Sequence, residues 1–335
     1  MNIDWVSEYV TSVLDVHGID RVISIERFEH GENHAVFRVT YLVGFDKRDV
    51  VVRVSNSPFD AALAQAEREA AVLTELAGAV SPRILDFSMS NISGRAIMCL
   101  EYVPGRSEPL DAASPSQMLD LGATLHQVHA TTINGLASML QGPPDLIAYV
   151  DDRLQSTLLR MSLVRDPLPN STQSLFHDAA TWAEATAARL QATDDPGSPV
   201  LLHGDVSSGN ILWTPQPVLI DWEYARIGDA ADEIGYLFGQ NALRQEQRDG
   251  LWKGYGHAVN RTALALTVQR AASWEPLTLF GSALYWIDLW SQRTAADATG
   301  SVNQSALKDA SYYLDFAQRY LDRCCDLWSH RASEL

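Results

Sequence analysis

Asp205, Asn210 and Asp221 stand in fixed order, each beside an apolar run. Leu201-Leu202 precedes the first, Ile211-Leu212 follows the second and Val218-Leu219-Ile220 leads into the third. Two short buried strands around loops would present Asp205 and Asn210 from the first loop and Asp221 at the end of the second strand. Those are the parts of a phosphoryl-transfer site. A carboxylate orients a hydroxyl and accepts its proton, while Mg²⁺ on a triphosphate needs hard oxygen ligands such as a second carboxylate and an amide carbonyl. Asp205 suits the first role, Asn210 and Asp221 the second. Asp-x-x-x-x-Asn alone occurs in many loops, and Gly204 and Gly209 suit any turn. What sets this stretch apart is the apolar lead-in to Asp221 and the Trp222 that follows it. A carboxylate at the mouth of a buried strand is partly desolvated and needs a cation or hydrogen-bond donors.

His203-Gly204-Asp205 with Asn210, followed by Ile220-Asp221-Trp222-Glu223, resembles the catalytic and metal-binding loops of the aminoglycoside phosphotransferase family, small-molecule kinases that share the protein-kinase fold. The resemblance implies an α+β, bilobal protein-kinase-like fold. Residues 1–102 would form a nucleotide-gripping lobe of antiparallel sheet plus one helix. Residues 103–335 would form a mainly helical lobe holding the catalytic and metal loops (201–224) and an acceptor-binding region at about 146–177 and 257–335. It also implies ATP or GTP as co-substrate with Mg²⁺, and a small-molecule hydroxyl as acceptor, first an antibiotic such as an aminoglycoside. A metabolite acceptor of the choline, thiamine or sugar type, or a noncatalytic nucleotide-binding module, are the alternatives. Protein kinases read H-R-D-L-x-x-x-N and D-F-G at these loops. Here Gly204 replaces the arginine that receives an activation-loop phosphate, and no A-P-E follows. Control by activation-loop phosphorylation is therefore not expected.

Elements able to position the motif lie upstream. Residues 21–26, 35–40 and 49–54 read as strands by apolar alternation and β-branched content. The turn Phe28-Glu29-His30-Gly31-Glu32-Asn33-His34 lies where a phosphate-covering hairpin would sit but holds one glycine, not G-x-G-x-x-G; the resemblance makes Gly31 and Asn33 phosphate-side candidates. The third strand carries Arg53 where protein kinases place a phosphate-gripping lysine. Asp60 to Ala77 reads as a helix, and at 100° per residue Glu69 falls inside its apolar arc between Ala66, Leu73 and Leu76. A glutamate on a buried face needs a cation, and Arg53 is the natural partner. Residues 95–105 read as a buried strand stopping at Pro104-Gly105. By the resemblance it leads into the hinge, where the backbone of Glu101 to Val103 would meet the adenine and Met98 would set the depth of the base pocket.

From about 113 onward the chain reads mainly as helices, with loops near 142–144, 166–172 and 194–199. The hairpin between Asn210 and Asp221 is short, with Pro215 and Pro217 confined to its turn. Gly228 to Ile234 opens a helix that Asp229 or Asp232 can cap. By the resemblance Asp232 would hold the backbone of the catalytic loop. His203 reads as an orienting residue, His126 and His129 as packing residues. Tyr285, Trp286 and Trp290 suit a core better than an acceptor pocket, while Glu275 and Asp288 are acids able to meet an acceptor's ammonium groups.

Composition narrows the class. At 335 residues the chain can build two cores. A net charge of −17 argues against nucleic acid and would suit a cationic acceptor. No run of about 18 apolar residues spans a membrane, and Met1-Asn2-Ile3-Asp4-Trp5 does not read as a secretory signal. Three cysteines fit neither a disulfide framework nor a metal spacing, which suits the cytoplasm.

Overall fold

The computed structural model describes residues 4–14, 19–28, 34–55, 61–89, 95–133, 135–164, 168–191, 197–299 and 308–332. Its N-terminal part is a five-stranded antiparallel sheet of order β1-β2-β3-β5-β4. The strands are β1 (Arg21–Arg27), β2 (His34–Val43), β3 (Asp46–Ser55), β4 (Ile84–Met89) and β5 (Ala96–Glu101). Side chains alternate across a strand, and here both faces are covered. Phe37 and Val39 of β2, Val50 and Val52 of β3 and Cys99 of β5 pack with Val6, Val10 and Leu14 of helix α1 (Asp4–Leu14). The other face turns Val51, Met98 and Leu100 toward Ala70, Leu73 and Leu76 of helix α2 (Ala61–Leu76). Arg53 is in register with Met98, so the alternation that buries Val52 under α1 delivers Arg53 to the α2 side.

The rest is mainly helical: α3 (Pro115–His129), α4 (Leu146–Ser162), α5 (Asn170–Gln191), α6 (Ala230–Gln240), α7 (Gln245–Tyr255), α8 (Arg261–Thr299) and α9 (Ala310–Ala332). A capping box at Ser114 with Pro115 at the first helical position starts α3. Four short strands carry the motif. β6 (Val200–Leu202) pairs with β9 (Arg226–Gly228), and β7 (Ile211–Leu212) with β8 (Val218–Leu219), both antiparallel. The chain thus has the bilobal, protein-kinase-like fold. No described helix is long and apolar enough to cross a membrane.

Sequence reading and structure differ at several points. α1 and β4 were not anticipated. β5 stops at Glu101, and Val103-Pro104-Gly105 turns back on itself with the Gly105 N–H donating to the Val103 carbonyl at 2.9 Å. α5 begins at Asn170, inside the loop expected at 166–172. Gly31 and Asn33 lie outside the described residues.

Candidate active site

The first loop leaves β6, whose Leu201 and Leu202 are fully buried. His203 follows, also fully buried, and ties two loops together: Nε2–H donates to the Ile220 carbonyl at 2.9 Å and Nδ1 accepts the Asp205 N–H at 3.3 Å. The ring lies 4.5 Å from the Trp222 ring. Gly204 has φ +89°, and a Cβ there would run into the Tyr224 carbonyl oxygen. An arginine at this position is excluded by backbone geometry alone.

Glu233 holds this loop, accepting the Gly204 N–H at 2.7 Å, while Arg226 donates to the Gly204 carbonyl at 3.1 Å. This corrects the expectation for Asp232. That carboxylate is instead bound by Tyr149, Arg153 and Arg226, and reaches the loop only through Arg226. Asp229, completely buried, caps α6 and takes Arg270 and Trp274. His129 is more than a packing residue: its Nε2 donates to Glu233 at 2.9 Å and its Nδ1 lies 2.9 Å from the Tyr255 hydroxyl. Burial by itself would raise the pKa of Glu233, but the His129 bond and the Gly204 N–H outweigh it and hold the carboxyl below its usual range.

Asp205 is fixed through both oxygens. Asn210 Nδ2 donates to Oδ2 at 2.9 Å and to the Asp205 carbonyl at 3.0 Å, and the Tyr236 hydroxyl donates to Oδ1 at 2.7 Å. Burial, then the Asp205 charge, raises the Tyr236 pKa, so the phenol stays a donor. A carboxylate offers about four lone-pair sites, which leaves capacity for an incoming hydroxyl.

Across the cleft, Arg53 Nη1 lies 2.6 Å from Glu69 Oε1, which also accepts the Trp222 N–H at 3.2 Å. Glu69 is 2 % exposed, so one buried carboxylate ties α2 to β3 and to the loop carrying Asp221. Burial alone would lower the Arg53 pKa; Glu69 and Asp221 together raise it. Asp221 is just past β8 at φ +67°, a left-handed conformation unusual for a residue with a Cβ. Its Oδ1 lies 3.3 Å from Arg53 Nη2, yet neither buried atom has a hydrogen-bond partner among the described residues. Unsatisfied buried polar atoms are rare, and this pair fits a site completed by phosphate oxygens on one side and a cation on the other. The hard oxygens of Asp221 and of the Asn210 amide, whose nitrogen is spent on Asp205, suit Mg²⁺.

Sequence reading missed Glu223 as a neighbour of this cluster. His34, Asp221 and Glu223 bring ligand atoms within 4.8 Å of one another. His34 Nε2 is bonded to Glu223 at 2.9 Å, which leaves the two carboxylates as the oxygen donors. The signal was Asp-x-Glu at 221–223. At the hinge, the Glu101 N–H is taken by the Arg83 carbonyl at 2.9 Å, and its side chain pairs with Arg83. The Val103 N–H has no backbone partner among the described residues. Met98 is buried under α2.

A cavity of about 490 Å³ opens beside Asp205. α4 contributes Arg153, Ser156, Thr157 and Arg160; α8 contributes Thr278, Gly281, Ser282 and Tyr285. Tyr285 and Trp286 line that cavity and Trp290 a smaller one nearby, while Trp286 and Trp290 also pack, as expected, against the core of Leu168, Ile287 and Ala317. Glu275, expected to meet an acceptor, is 1 % exposed and gripped at both oxygens by Arg248, at 2.8 and 3.0 Å. Asp288 borders the smaller cavity, together with Arg160, and is not among the described residues lining the larger one. Asp205 is thus the single carboxylate among the described residues lining the larger one.

The sequence profile of the phosphotransferase enzyme family matches residues 24–267. The chain belongs to that family. Among curated relatives, stress response kinase A of Salmonella paratyphi A is 34% identical over 88 residues, 23% of this chain and 27% of that one, so the match spans about a quarter of the relative's length. Among solved structures, a choline/ethanolamine kinase family protein from Mesorhizobium loti is 21% identical, with 98% of this chain and 95% of that chain covered at a TM-score of 0.63. A spectinomycin phosphotransferase, solved with ADP and spectinomycin, is 13% identical over 96% and 98% at 0.64. At such identities the likeness is one of fold.

Proposed function

We propose that this enzyme moves the γ-phosphoryl group of ATP to a hydroxyl of a small metabolite held in the 490 Å³ cavity beside Asp205. The observation that carries the reading is Asp205, oriented by Asn210 and Tyr236 and lining that cavity, on a loop that His203 ties to Ile220, the neighbour of Asp221 in the Arg53–Glu69–Asp221 cluster. Asp205 orients the acceptor hydroxyl and takes its proton as the oxygen bonds to phosphorus and the bridging oxygen leaves with ADP. Arg53 grips the phosphates and Glu69 positions Arg53. Asn210 and Asp221 hold Mg²⁺, which when bound neutralises the phosphate charge. The Val103 N–H and the backbone at Glu101 meet the adenine, with Met98 behind it; the lobes divide between residues 102 and 103.

A metabolite acceptor is preferred to an aminoglycoside because the cavity offers a polycation only Asp205, and Glu275 is already neutralised by Arg248. Choline/ethanolamine kinases among the neighbours of like fold support the same class. The free cysteines, with Cys99 pushed up to about 12 by burial, suit the reducing cytoplasm. The test is Mg²⁺- and ATP-dependent transfer across metabolite alcohols, aminoglycosides and macrolides, read as product mass. Asp205→Asn is expected to lower kcat on the order of 10²-fold or more, the scale of a positioned base, with ATP binding retained. An Asp205→Asn enzyme as fast as the parent would remove the assignment.

A further inference from the structure

The walls of the acceptor cavity carry charge of the sign opposite to the chain as a whole. In a protein of net charge −17, the described residues lining the cavity include two guanidiniums, Arg153 and Arg160, and one carboxylate, Asp205. The two arginines stand with Thr157 at i, i+4 and i+7 on α4, hence on one face of the helix. They are not equivalent. Arg153 is pinned through Nε to Asp232 at 3.2 Å, and Asp232 is shared with Arg226 at 3.2 Å, so one buried carboxylate answers two guanidiniums and leaves positive charge over. Arg160 pairs with no carboxylate among the described residues. The Asp205 carboxylate, already bonded to Asn210 and Tyr236, is the oxygen pair that the reacting hydroxyl needs. The facing wall is uncharged: Thr278, Gly281, Ser282 and Tyr285 come from one face of α8, and a Cβ at Gly281 would meet nothing within 4 Å. The cavity therefore offers a carboxylate at one place, a doubly cationic helix face at another and an aromatic, hydroxyl-bearing wall from α8.

Resting on the phosphotransferase reading above, we infer that the acceptor is an anionic alcohol: a small molecule whose hydroxyl meets Asp205 and whose carboxylate or phosphate group is held by Arg160 and Arg153. Planar guanidinium forks match such oxyanions bidentately, whereas an ammonium at that end of the cavity would face two like charges. The exposed Tyr285 ring, backed by Trp286, gives a flat molecular body a surface to lie on.

The test uses the full chain with Mg²⁺ and a non-hydrolysable ATP analogue, and reads equilibrium binding of benzyl alcohols that differ only at the para position. The substituents are carboxylate, phosphonate, carboxamide and trimethylammonium. The two anions are expected to bind on the order of tenfold or more tighter than the amide, the scale of a charge-assisted hydrogen bond, and the trimethylammonium compound weakest. Which anion wins separates a carboxylate site from a phosphate site. Arg160 is exposed, so Arg160→Ala should fold normally and erase the anion advantage; Arg160→Lys should restore part of it and Arg160→Glu reverse the order. Equal binding of amide and carboxylate, a preference for trimethylammonium, or no binding of any member beside a bound nucleotide would each overturn the inference. The same compounds are then incubated with ATP and weighed by mass spectrometry. Anion binding without any phosphorylated product counts against phosphoryl transfer and leaves the anion site standing, while product from the trimethylammonium member alone does the reverse.

Discussion

Removal of Glu69 is the sharpest perturbation of the proposed phosphate grip, because this carboxylate has two partners and little water. In Glu69→Ala the 2.6 Å ion pair to Arg53 and the 3.2 Å bond from the Trp222 N–H both disappear. Breaking a buried pair from one side costs about 3–5 kcal/mol. Asp221, 3.3 Å from the other guanidinium nitrogen, would take over part of the pairing, so the loss of unfolding free energy is expected at about 3 kcal/mol, the low end of that range. The kinetic effect has a separate origin. An Arg53 drawn to Asp221 leaves the phosphates and occupies a proposed metal ligand, forfeiting a charge-assisted contact of about 1.5–3 kcal/mol. At 1.36 kcal/mol per decade this is a fall in kcat/KM for ATP of about 10- to 150-fold. Glu69→Gln keeps an oxygen for Trp222 and should lie between the parent and Glu69→Ala. The assay is a double-mutant cycle with Arg53→Ala, scored by urea unfolding and by steady-state kinetics in ATP. Free-energy changes that add within about 0.5 kcal/mol would refute the coupling, as would a Glu69→Ala enzyme with kcat and KM for ATP both unchanged.

Gly204→Ala should lower stability by about 1–3 kcal/mol, the cost of a strained left-handed residue, and lower kcat more severely, because the Cβ collides with the Tyr224 carbonyl next to Asp205; unchanged urea midpoint and kcat would contradict this. Gly281→Ala should do the opposite for stability, raising it by about 1 kcal/mol as a helix-interior glycine with open space around it. The larger Gly281→Leu should raise the acceptor KM while leaving the ATP KM alone, which places the cavity on the acceptor side. Glu233 sets a pH dependence. Its folded pKa lies below the ordinary value of 4.5, so the stability it contributes is complete above that value and is lost as pH falls through the depressed one. Glu233→Gln should therefore show a shallower fall in urea midpoint than the parent on acidification below about pH 4.5; parallel curves would exclude the linkage.

The sequence by itself determined the elements whose signals are local. Hydrophobic alternation marks β2 and β3, and the same parity that puts Val50 and Val52 on one face puts Arg53 on the other. Helical phase places Glu69 among Ala66, Leu73 and Leu76, and the pairing of two buried opposite charges follows from desolvation cost alone. The order Asp205, Asn210, Asp221 was legible because the loop and the hairpin that carry these residues are short segments read in one pass. α1 escaped notice because its purpose is to cover a sheet face assembled from strands elsewhere in the chain. Tertiary structure alone decided which of three neighbouring acids does what. Asp229, Asp232 and Glu233 look interchangeable as a sequence, and only the approach of Arg270, Arg226 and the Gly204 N–H from other elements separates a cap, a charge anchor and a loop clamp. The same holds for Glu275, which reads as an available acid until Arg248 closes on it from α7. The charge of the cavity beside Asp205 depends on how α4 and α8 face each other, and its sign runs against the chain's net charge. A summed composition has no spatial coordinate, whereas a binding site is defined by the few groups that packing leaves uncompensated at one place.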